Sequence, residues 1–156
     1  MGQSLFTFIP KNLPEKPALA EGRPLDIEIG CGVGLHPITY AKIHPDRNLV
    51  ALEHTKEKFD KFWGRYENHA SLDNLYPIHG NAISWISAHI KPASVSRYFL
   101  LYPNPWPKAR HKNRRWAAMP FMAKLHETLE VGGELLMVTN EAWYADEALE
   151  EMQQWG

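Results

Sequence analysis

The chain has 156 residues, 44% of them hydrophobic and 22% charged, and this ordinary composition predicts one globular domain over residues 1–156. The formal net charge of -1 identifies no partner. A single cysteine excludes a disulfide framework, no histidine pattern indicates a metal site, and no apolar run or signal-peptide pattern indicates a membrane, so we expect a metal-free cytoplasmic protein.

Predicted strands and helices alternate along the chain after a Pro-rich, aperiodic lead-in of about two dozen residues. Apolar runs predict strands over residues 24–29, 48–53, 75–79, 95–101 and 134–139, the last entered through a turn at Gly132 and Gly133. Helices are predicted over residues 35–43, 56–69 after a Thr55 cap, 82–89, 113–129, and 141–154 after an Asn140 cap. This alternation predicts an α/β fold with a doubly wound, mostly parallel sheet, helices on both faces, and ligands at the carboxyl ends of the strands.

A glycine-rich turn follows the first predicted strand. Gly30, Gly32 and Gly34 have the setting in which a turn usually holds a nucleotide or a nucleotide-like cofactor. The dinucleotide pattern needs a further glycine where this chain has Leu35. Glu28 does not suit a pyrophosphate, but it can attract the sulfonium and ammonium groups of S-adenosylmethionine. The turn therefore favours a methyl donor over a nicotinamide, and a purely structural glycine turn is the alternative.

Polar residues also end the second and third predicted strands. Glu53 can accept hydrogen bonds from both hydroxyls of a ribose, or it can be a solvated acid at a strand end. Asn81, followed by Ala82, offers a donor and an acceptor to an adenine edge. Capping the next helix is an equally good interpretation of Asn81, and both roles can coexist. We expect Glu53, Asn81 and Ala82 to bind the cofactor beside the glycines.

A proline-rich loop follows the fourth predicted strand. Prolines at positions 103, 105 and 107 prevent a helix and keep the loop stiff and extended, which predicts that Asn104 is fixed beside the sulfonium. Trp106 offers a stacking face to a flipped or single-stranded base, or it packs as a core anchor.

Basic residues interleaved with tryptophan come directly after this loop. They are the pattern of a phosphate-and-base footprint on a nucleic acid, although a charge run can also be plain solvated surface. The candidate contacts are Lys108, Arg110, Arg114 and Arg115. Asn140, at the end of the fifth predicted strand, is expected to cap the last helix, and facing the substrate is its second interpretation.

Taken in order, these residues resemble the tRNA (guanine-N7)-methyltransferase family over about positions 24–145. The segment Pro105-Trp106-Pro107-Lys108 and its basic continuation are the most specific part; the other matching positions are 27–32, 52–53, 81–82, 102–104, 132–133 and 139–140. The resemblance implies a class I methyltransferase (Rossmann-like) fold, S-adenosylmethionine as cofactor, and a tRNA guanine methylated at N7. It also implies the roles of several residues: Glu28, Glu53, Asn81 and Asn104 contact the cofactor, Asn104 lies at the methyl-transfer centre, and Lys108 and Asn140 contact substrate.

The chain departs from the family pattern in two respects. The family usually has aspartate at the positions of Asn81, Asn104 and Asn140, so we expect a divergent member. The family's Thr-x-x-Glu substrate motif, on a C-terminal strand pair, does not occur before Gly156, so either the sequence is incomplete or that half of the pocket is missing.

Two other functions stay open at this stage. The segment 104–106, Asn-Pro-Trp, partly resembles the Asn-Pro-Pro-Tyr motif of amino methyltransferases, which predicts methylation of another base or of an exocyclic amine. A non-catalytic protein that binds RNA or cofactor is the other.

Overall fold

Five parallel strands form the centre of the molecule. The computed structural model describes residues 12–69 and 72–155. Its strands are β1 Leu25–Ile29, β2 Asn48–Glu53, β3 Leu75–His79, β4 Val95–Leu101 and β5 Leu129–Val138. They lie in the order β3-β2-β1-β4-β5, and every neighbouring pair is parallel. The strand order reverses between β1 and β4, which opens a crevice at the carboxyl ends of these strands.

Helices cover both faces of this sheet. They are α1 Leu35–Ile43, α2 Lys56–Glu67, α3 Ala82–His89, α4 Met122–Thr128 and α5 Ala142–Gln153, and two 3₁₀ turns, Ala109–Arg114 and Trp116–Ala118, lie between β4 and α4. Buried residues of α1 and α2 share one apolar cluster with the sheet, and buried residues of α3 and α4 share the other. The predicted doubly wound α/β fold is thereby confirmed. Within the described ranges, none of the helices combines the length and apolar character of a membrane span.

The central strand β1 is buried along its whole length although it contains two acids. Leu25, Ile27 and Ile29 belong to the cluster on the α3 and α4 side of the sheet. Alternation along a strand therefore directs Asp26 and Glu28 to the face that α1 covers. Buried carboxylates need partners, because an unpaired buried charge is costly.

Asp26 finds its partners at the amino end of the sheet. Arg47 donates to both of its oxygens at 2.7 Å, and the Tyr40 hydroxyl donates to Oδ2 at 2.6 Å. Arg97 on β4 donates to the Tyr40 hydroxyl, and Arg47 also reaches Ser96. These bonds raise the pKa of Arg47, and they tie β1, α1 and β4 together at the end away from the crevice.

The lead-in lies against the sheet over the part that the structure describes. Leu13 and Leu19 pack against the apolar cluster, and the Ala20 amide donates to the Tyr76 hydroxyl at 3.1 Å. The remainder of the predicted lead-in, residues 1–11, lies outside the described residues.

The helix predicted over residues 113–129 is wrong. Arg115 and Met119 are extended, with ψ of 138° and 142°, so the segment divides into 3₁₀ turns and the short helix α4. Pro120 explains the second break, because a proline disfavours helical backbone at the preceding residue. The prediction of β5 was also too short: Gly132, with φ of 79°, lies inside the strand, where the pairing with β4 skips residues.

Two of the three predicted helix caps differ in detail. Asn140 does not cap α5: the N-cap is Glu141, and its amide donates to the Thr139 hydroxyl oxygen at 3.1 Å. Thr55 is the N-cap of α2, but its side chain makes no capping hydrogen bond. Asn81 does cap α3, where Oδ1 accepts from the Ser84 amide at 3.1 Å.

Gly34 explains how the glycine turn passes into α1. It is the N-cap of α1 with φ of 87°, and a β-carbon there would lie 2.0 Å from Cδ2 of the buried Phe62 on α2. Only glycine combines this left-handed backbone with so close an approach. The structure thus gives Gly34 a packing role between two helices, whereas we had expected it to contact the cofactor.

Replacing Gly34 by alanine should lower the free energy of unfolding by roughly 2–5 kcal/mol, because left-handed strain and overpacking each cost about 1–3 kcal/mol. Urea titration measures this loss. Gly22→Ala is the matched control, since Gly22 has φ of 74° but open space around it. It should cost only about 1–2 kcal/mol. Equal losses in the two variants would contradict the contact with Phe62.

Candidate functional site

A cleft of about 550 Å³ opens at the carboxyl ends of β1, β2 and β4. This volume is in the range of small-molecule and cofactor sites. Its walls include apolar side chains from Ile29, Leu52, Ile83 and Leu100. Its polar and charged lining is Glu53, His54, Lys58, Asn81, Asn104, Trp106 and Arg114. The parallel strands therefore bring residues from five separate segments of the chain to one place.

The glycine turn forms one wall of this cleft. The amides of Gly30 and Cys31 both donate to the Leu52 carbonyl, at 2.9 and 3.0 Å, which fixes the turn against the end of β2. Gly30 and Gly32 have φ of 71° and 61°, and nothing lies within 4 Å of where their β-carbons would be. This open space allows a ligand to approach the backbone at Gly30, which lines the cleft.

Glu53 is the only acid among the described residues that line the cleft. It is 4% exposed, and its Oε2 accepts the Thr55 amide at 3.4 Å and lies 4.0 Å from Nδ1 of His54. A carboxylate held in this way presents acceptor lone pairs into the cleft, which suits a pair of ribose hydroxyls.

Asn81 and Ala82 lie at the opposite wall, at the start of α3. The Oδ1 atom of Asn81 caps the helix, while its Nδ2 donates to no other described residue. The capping role and a contact with an adenine edge are compatible, because they use different atoms of the same amide.

The proline-rich loop is backbone-strained on both sides of Asn104. Tyr102 and Trp106 have φ of 51° and 48°, in the left-handed region that non-glycine residues rarely adopt. Asn104 stabilises the left-handed backbone at Trp106, since its Oδ1 accepts a hydrogen bond from the Trp106 amide at 3.1 Å. Strain of this kind costs about 1–3 kcal/mol per residue and concentrates at functional sites. This strain could not be predicted from the sequence, because aromatic residues are not expected in this conformation.

Trp106 is a half-buried ring held by basic residues, and the core anchor is Trp116 instead. The Arg114 guanidinium lies over the Trp106 ring, 4.9 Å from its centre, and His111 meets the ring edge-on at 5.4 Å. Arg114 and Trp106 both line the cleft. The pair therefore joins a cation and an aromatic surface at the mouth of the site.

The basic cluster divides into exposed and buried members. Lys108, Arg110 and Arg114 are exposed. Arg115 was expected to contact RNA, but the structure commits it elsewhere: its side chain is 9% exposed and bonds both oxygens of Glu147 on α5, at 2.6 and 2.9 Å. Its Nε donates to the Trp106 carbonyl at 3.1 Å, so it supports the loop from behind.

Glu28 was expected to meet the cofactor directly. The structure buries it to 2% exposure behind the glycine turn, where Nδ1 of His36 contacts its Oε1. Burial raises the pKa of Glu28, and the hydrogen bond and charge of His36 lower it. His36 was not among the residues predicted from the sequence, although a histidine in the first turn of α1 after a buried acid is a usable signal.

Five other candidates lie outside the cleft lining. Gly32, Gly34, Lys108 and Arg110 are not among the residues that form its walls, and neither is Asn140, which is exposed at the end of β5. Among the described residues, no group of three or more histidine, cysteine or acidic side chains is placed to hold a metal ion.

Comparison with solved structures defines the class of the fold. A SAM-dependent O-methyltransferase from Thermotoga maritima is similar with a TM-score of 0.62 and 19% identity, over 84% of this chain and 43% of that one. A precorrin-6y C5,15-methyltransferase from Geobacter metallireducens is similar with a TM-score of 0.65 and 14% identity, over 85% of this chain and 62% of that one. The fold is therefore the class I, Rossmann-like methyltransferase fold.

Sequence comparison narrows this class to a family. Residues 22–155 match the family model described as "Putative methyltransferase". The tRNA (guanine-N(7)-)-methyltransferase of Lactiplantibacillus plantarum is 30% identical over 97% of this chain and 74% of its own length. That of Roseobacter denitrificans is 33% identical over 90% of this chain and 59% of its own length. The chain belongs to the tRNA (guanine-N7)-methyltransferase family, and it spans between about half and three quarters of the length of these relatives.

Arg115→Ala should lower the free energy of unfolding by about 1.5–3 kcal/mol, the range for hydrogen bonds to charged groups, because Glu147 loses its partner. Arg114→Ala removes a neighbouring guanidinium that is exposed, and it should cost only about 0.5–1 kcal/mol. Urea titration of both variants measures the difference. If Arg115→Ala were as stable as the wild type, the ion pair with Glu147 would not stabilise the fold, and Arg115 would again be a candidate for RNA contact.

Proposed function

We propose that this protein is an S-adenosylmethionine-dependent methyltransferase that methylates a tRNA guanine at N7. The observation that carries the proposal is the cleft itself, in which Gly30, Glu53, Asn81, Asn104 and Trp106 converge in a chain of this family. The relatives from Roseobacter denitrificans and Lactiplantibacillus plantarum are tRNA (guanine-N(7)-)-methyltransferases, which supports the same substrate class.

The cleft fits the adenosine part of the donor. Its volume is in the range of cofactor sites, and the open space at Gly30 allows a contact with the backbone. The acceptor oxygens of Glu53 suit a ribose, and the amide nitrogen of Asn81 suits an adenine. Apolar side chains from β1, β2 and α3 supply the flat surfaces between these polar groups. When bound, S-adenosylmethionine supplies a methyl group activated by a positive sulfur.

The chemistry at Asn104 agrees with attack by guanine N7. This nitrogen has an in-plane lone pair, so it can accept a methyl group without first losing a proton, and the site needs alignment more than a base. The described cleft residues of the proline-rich loop after β4 are Tyr102, Pro103, Asn104 and Trp106, and none of them is a carboxylate or an imidazole. The rigid loop and the Asn104–Trp106 hydrogen bond supply the alignment.

The acceptor approaches, in this proposal, over the exposed basic surface beside the cleft. Lys108 and Arg110 lie on that surface, Arg114 continues it into the cleft, and Trp106 provides the adjoining ring. Cations that bind phosphates next to an aromatic platform suit an RNA with an accessible base. The lone cysteine is buried, which fits a reducing cytoplasm as the place of action.

S-Adenosylmethionine should raise the melting temperature of the protein, because a ligand selective for the native state stabilises it, whereas NAD should not. Glu53→Ala should weaken donor binding by about 1–3 kcal/mol, as expected when ligand groups lose a buried partner. Calorimetry measures the affinity. The control is Glu57→Ala, which removes an exposed carboxylate of α2 that does not line the cleft. Stabilisation by NAD alone would overturn the proposal.

The affinity for tRNA should fall steeply with salt. Lys108→Ala and Arg114→Ala should each flatten the slope of log affinity against log salt by roughly one unit, because each removes about one phosphate contact. Filter binding at several salt concentrations gives the slope. Lys61→Ala on α2 is the control for loss of an exposed cation elsewhere. If the slope were unchanged in both Lys108→Ala and Arg114→Ala, the basic cluster would be plain solvated surface that does not bind tRNA.

A further inference from the structure

His36 and Glu28 form an ionisable pair that the proposed chemistry has not used. Glu28 is almost completely buried in the middle of the sheet, and only Oε1 has a hydrogen-bond partner among the described residues. His36 belongs to the first turn of α1, and 38% of its side chain stays exposed. Its ring packs against Phe99 and Tyr40, with centroid distances of 5.1 and 5.7 Å. Packing on two sides thus fixes the orientation of the ring toward Glu28.

Without a partner, a carboxyl group at this depth would tend to be neutral. Burial is the largest influence on the pKa of Glu28 and raises it, while the hydrogen bond from His36 and its charge act in the opposite direction. A neutral carboxyl group offers little attraction to a positive ligand. The contact with His36 therefore decides how far Glu28 is ionised and which way its second oxygen is directed.

We propose that His36 is a positioning residue for the methyl donor: it holds Oε1 of Glu28 and favours the charged carboxylate, so that Oε2 attracts the positive charge of the donor's amino-acid part. This inference rests on the proposed function. It assigns no contact between His36 and the reacting atoms, since His36 acts through Glu28.

The pH dependence of donor binding follows from linkage. A cationic ligand that prefers ionised Glu28 lowers the pKa of this group, so its affinity must rise as the pH increases through the pKa of Glu28 in the free protein. Removing His36 removes the influence that lowers this pKa. The rise in affinity should then occur at higher pH.

Other ionisable groups surround the pair, and the test must separate them from it. They are Cys31 after β1, Glu53 on β2, Tyr40 on α1, His44 at the C-cap of α1, and Arg97 on β4, which donates to the Tyr40 hydroxyl. Burial raises the pKa values of Cys31 and Tyr40, so neither loses its proton in the range of a histidine or a carboxyl group. Glu53 and His44 are present unchanged in every variant below except the one made to test His44.

The decisive variant is His36→Phe, which keeps an aromatic ring against Tyr40 and Phe99 but cannot bond Glu28. Calorimetry over a pH series should show the affinity for S-adenosylmethionine rising at a higher pH than in the wild type. Between the two transitions the variant should bind S-adenosylmethionine several-fold more weakly than the wild type. His36→Gln, whose amide can donate to Glu28 without a charge, should lie between the two.

Two controls separate the charge of Glu28 from general damage. 5′-Methylthioadenosine keeps the adenosine and the sulfur of the donor but lacks its amino-acid part, and its affinity should be the same in wild type and His36→Phe. His44→Phe changes a histidine that stacks on Tyr40 at 4.4 Å without contacting Glu28, and it should leave the pH profile unchanged.

Three outcomes would overturn the inference. An unshifted pH profile in His36→Phe would mean that His36 does not control Glu28. Parallel weakening of S-adenosylmethionine and 5′-methylthioadenosine would mean that His36 only packs the turn. Failure of the wild type to bind either ligand would refute the donor proposal and this inference with it; the first two outcomes leave wild-type binding intact and refute the inference alone.

Discussion

Two hydrogen bonds at the end of β2 fix the geometry on which the rest of the site depends. The amides of Gly30 and Cys31 share the Leu52 carbonyl, and Glu53 is the next residue. The glycine turn and the acid are thereby held at a constant separation, independent of the helices that follow each of them. The left-handed backbone of Gly30 and Gly32 makes the turn possible, and the close approach of Gly34 to Phe62 packs the start of α1 against α2.

Charge is distributed unevenly between the sheet and the cleft. Two acids of β1 are buried and paired, Asp26 with Arg47 at the amino end and Glu28 with His36 near the turn. Among the described residues that line the cleft, Glu53 is the single acid, and Lys58 and Arg114 are the lysine and arginine side chains. Asparagines at positions 81 and 104 contribute hydrogen-bonding groups there but no charge. This balance is consistent with a cleft that leaves phosphate attraction to the adjoining surface.

The sequence predicted the architecture well because the strands are buried and nearly continuous in apolar residues. The bounds of β2, β3, β4, α1 and α3 agree with the sequence prediction, and so does the convergence of the strand ends on one cleft. Turn and cap patterns depend on neighbouring residues, so they predict the bounds of strands and helices from the sequence alone. The same locality made Gly132 look like a turn and Asn140 like a cap, whereas pairing with β4 draws the glycine into the strand.

Partners distant in sequence account for the remaining differences. Arg115 looked like another exposed cation, but its partner Glu147 lies 32 positions away, on a helix that only the tertiary fold brings near. The strain at Tyr102 and Trp106 likewise reflects the packing of the whole loop, since neither residue type favours positive φ. His36 was within reach of sequence reasoning, but only once β1 was known to direct Glu28 toward α1.

The most direct test of the account is the identity of the methylated nucleoside. The protein would be incubated with whole tRNA and isotopically labelled S-adenosylmethionine. The tRNA would then be digested to nucleosides, which would be separated and identified by mass spectrometry. The account predicts label in 7-methylguanosine. Label in an exocyclic N-methyl nucleoside, or tRNA that stays unlabelled although the protein binds both the donor and the RNA, would contradict it.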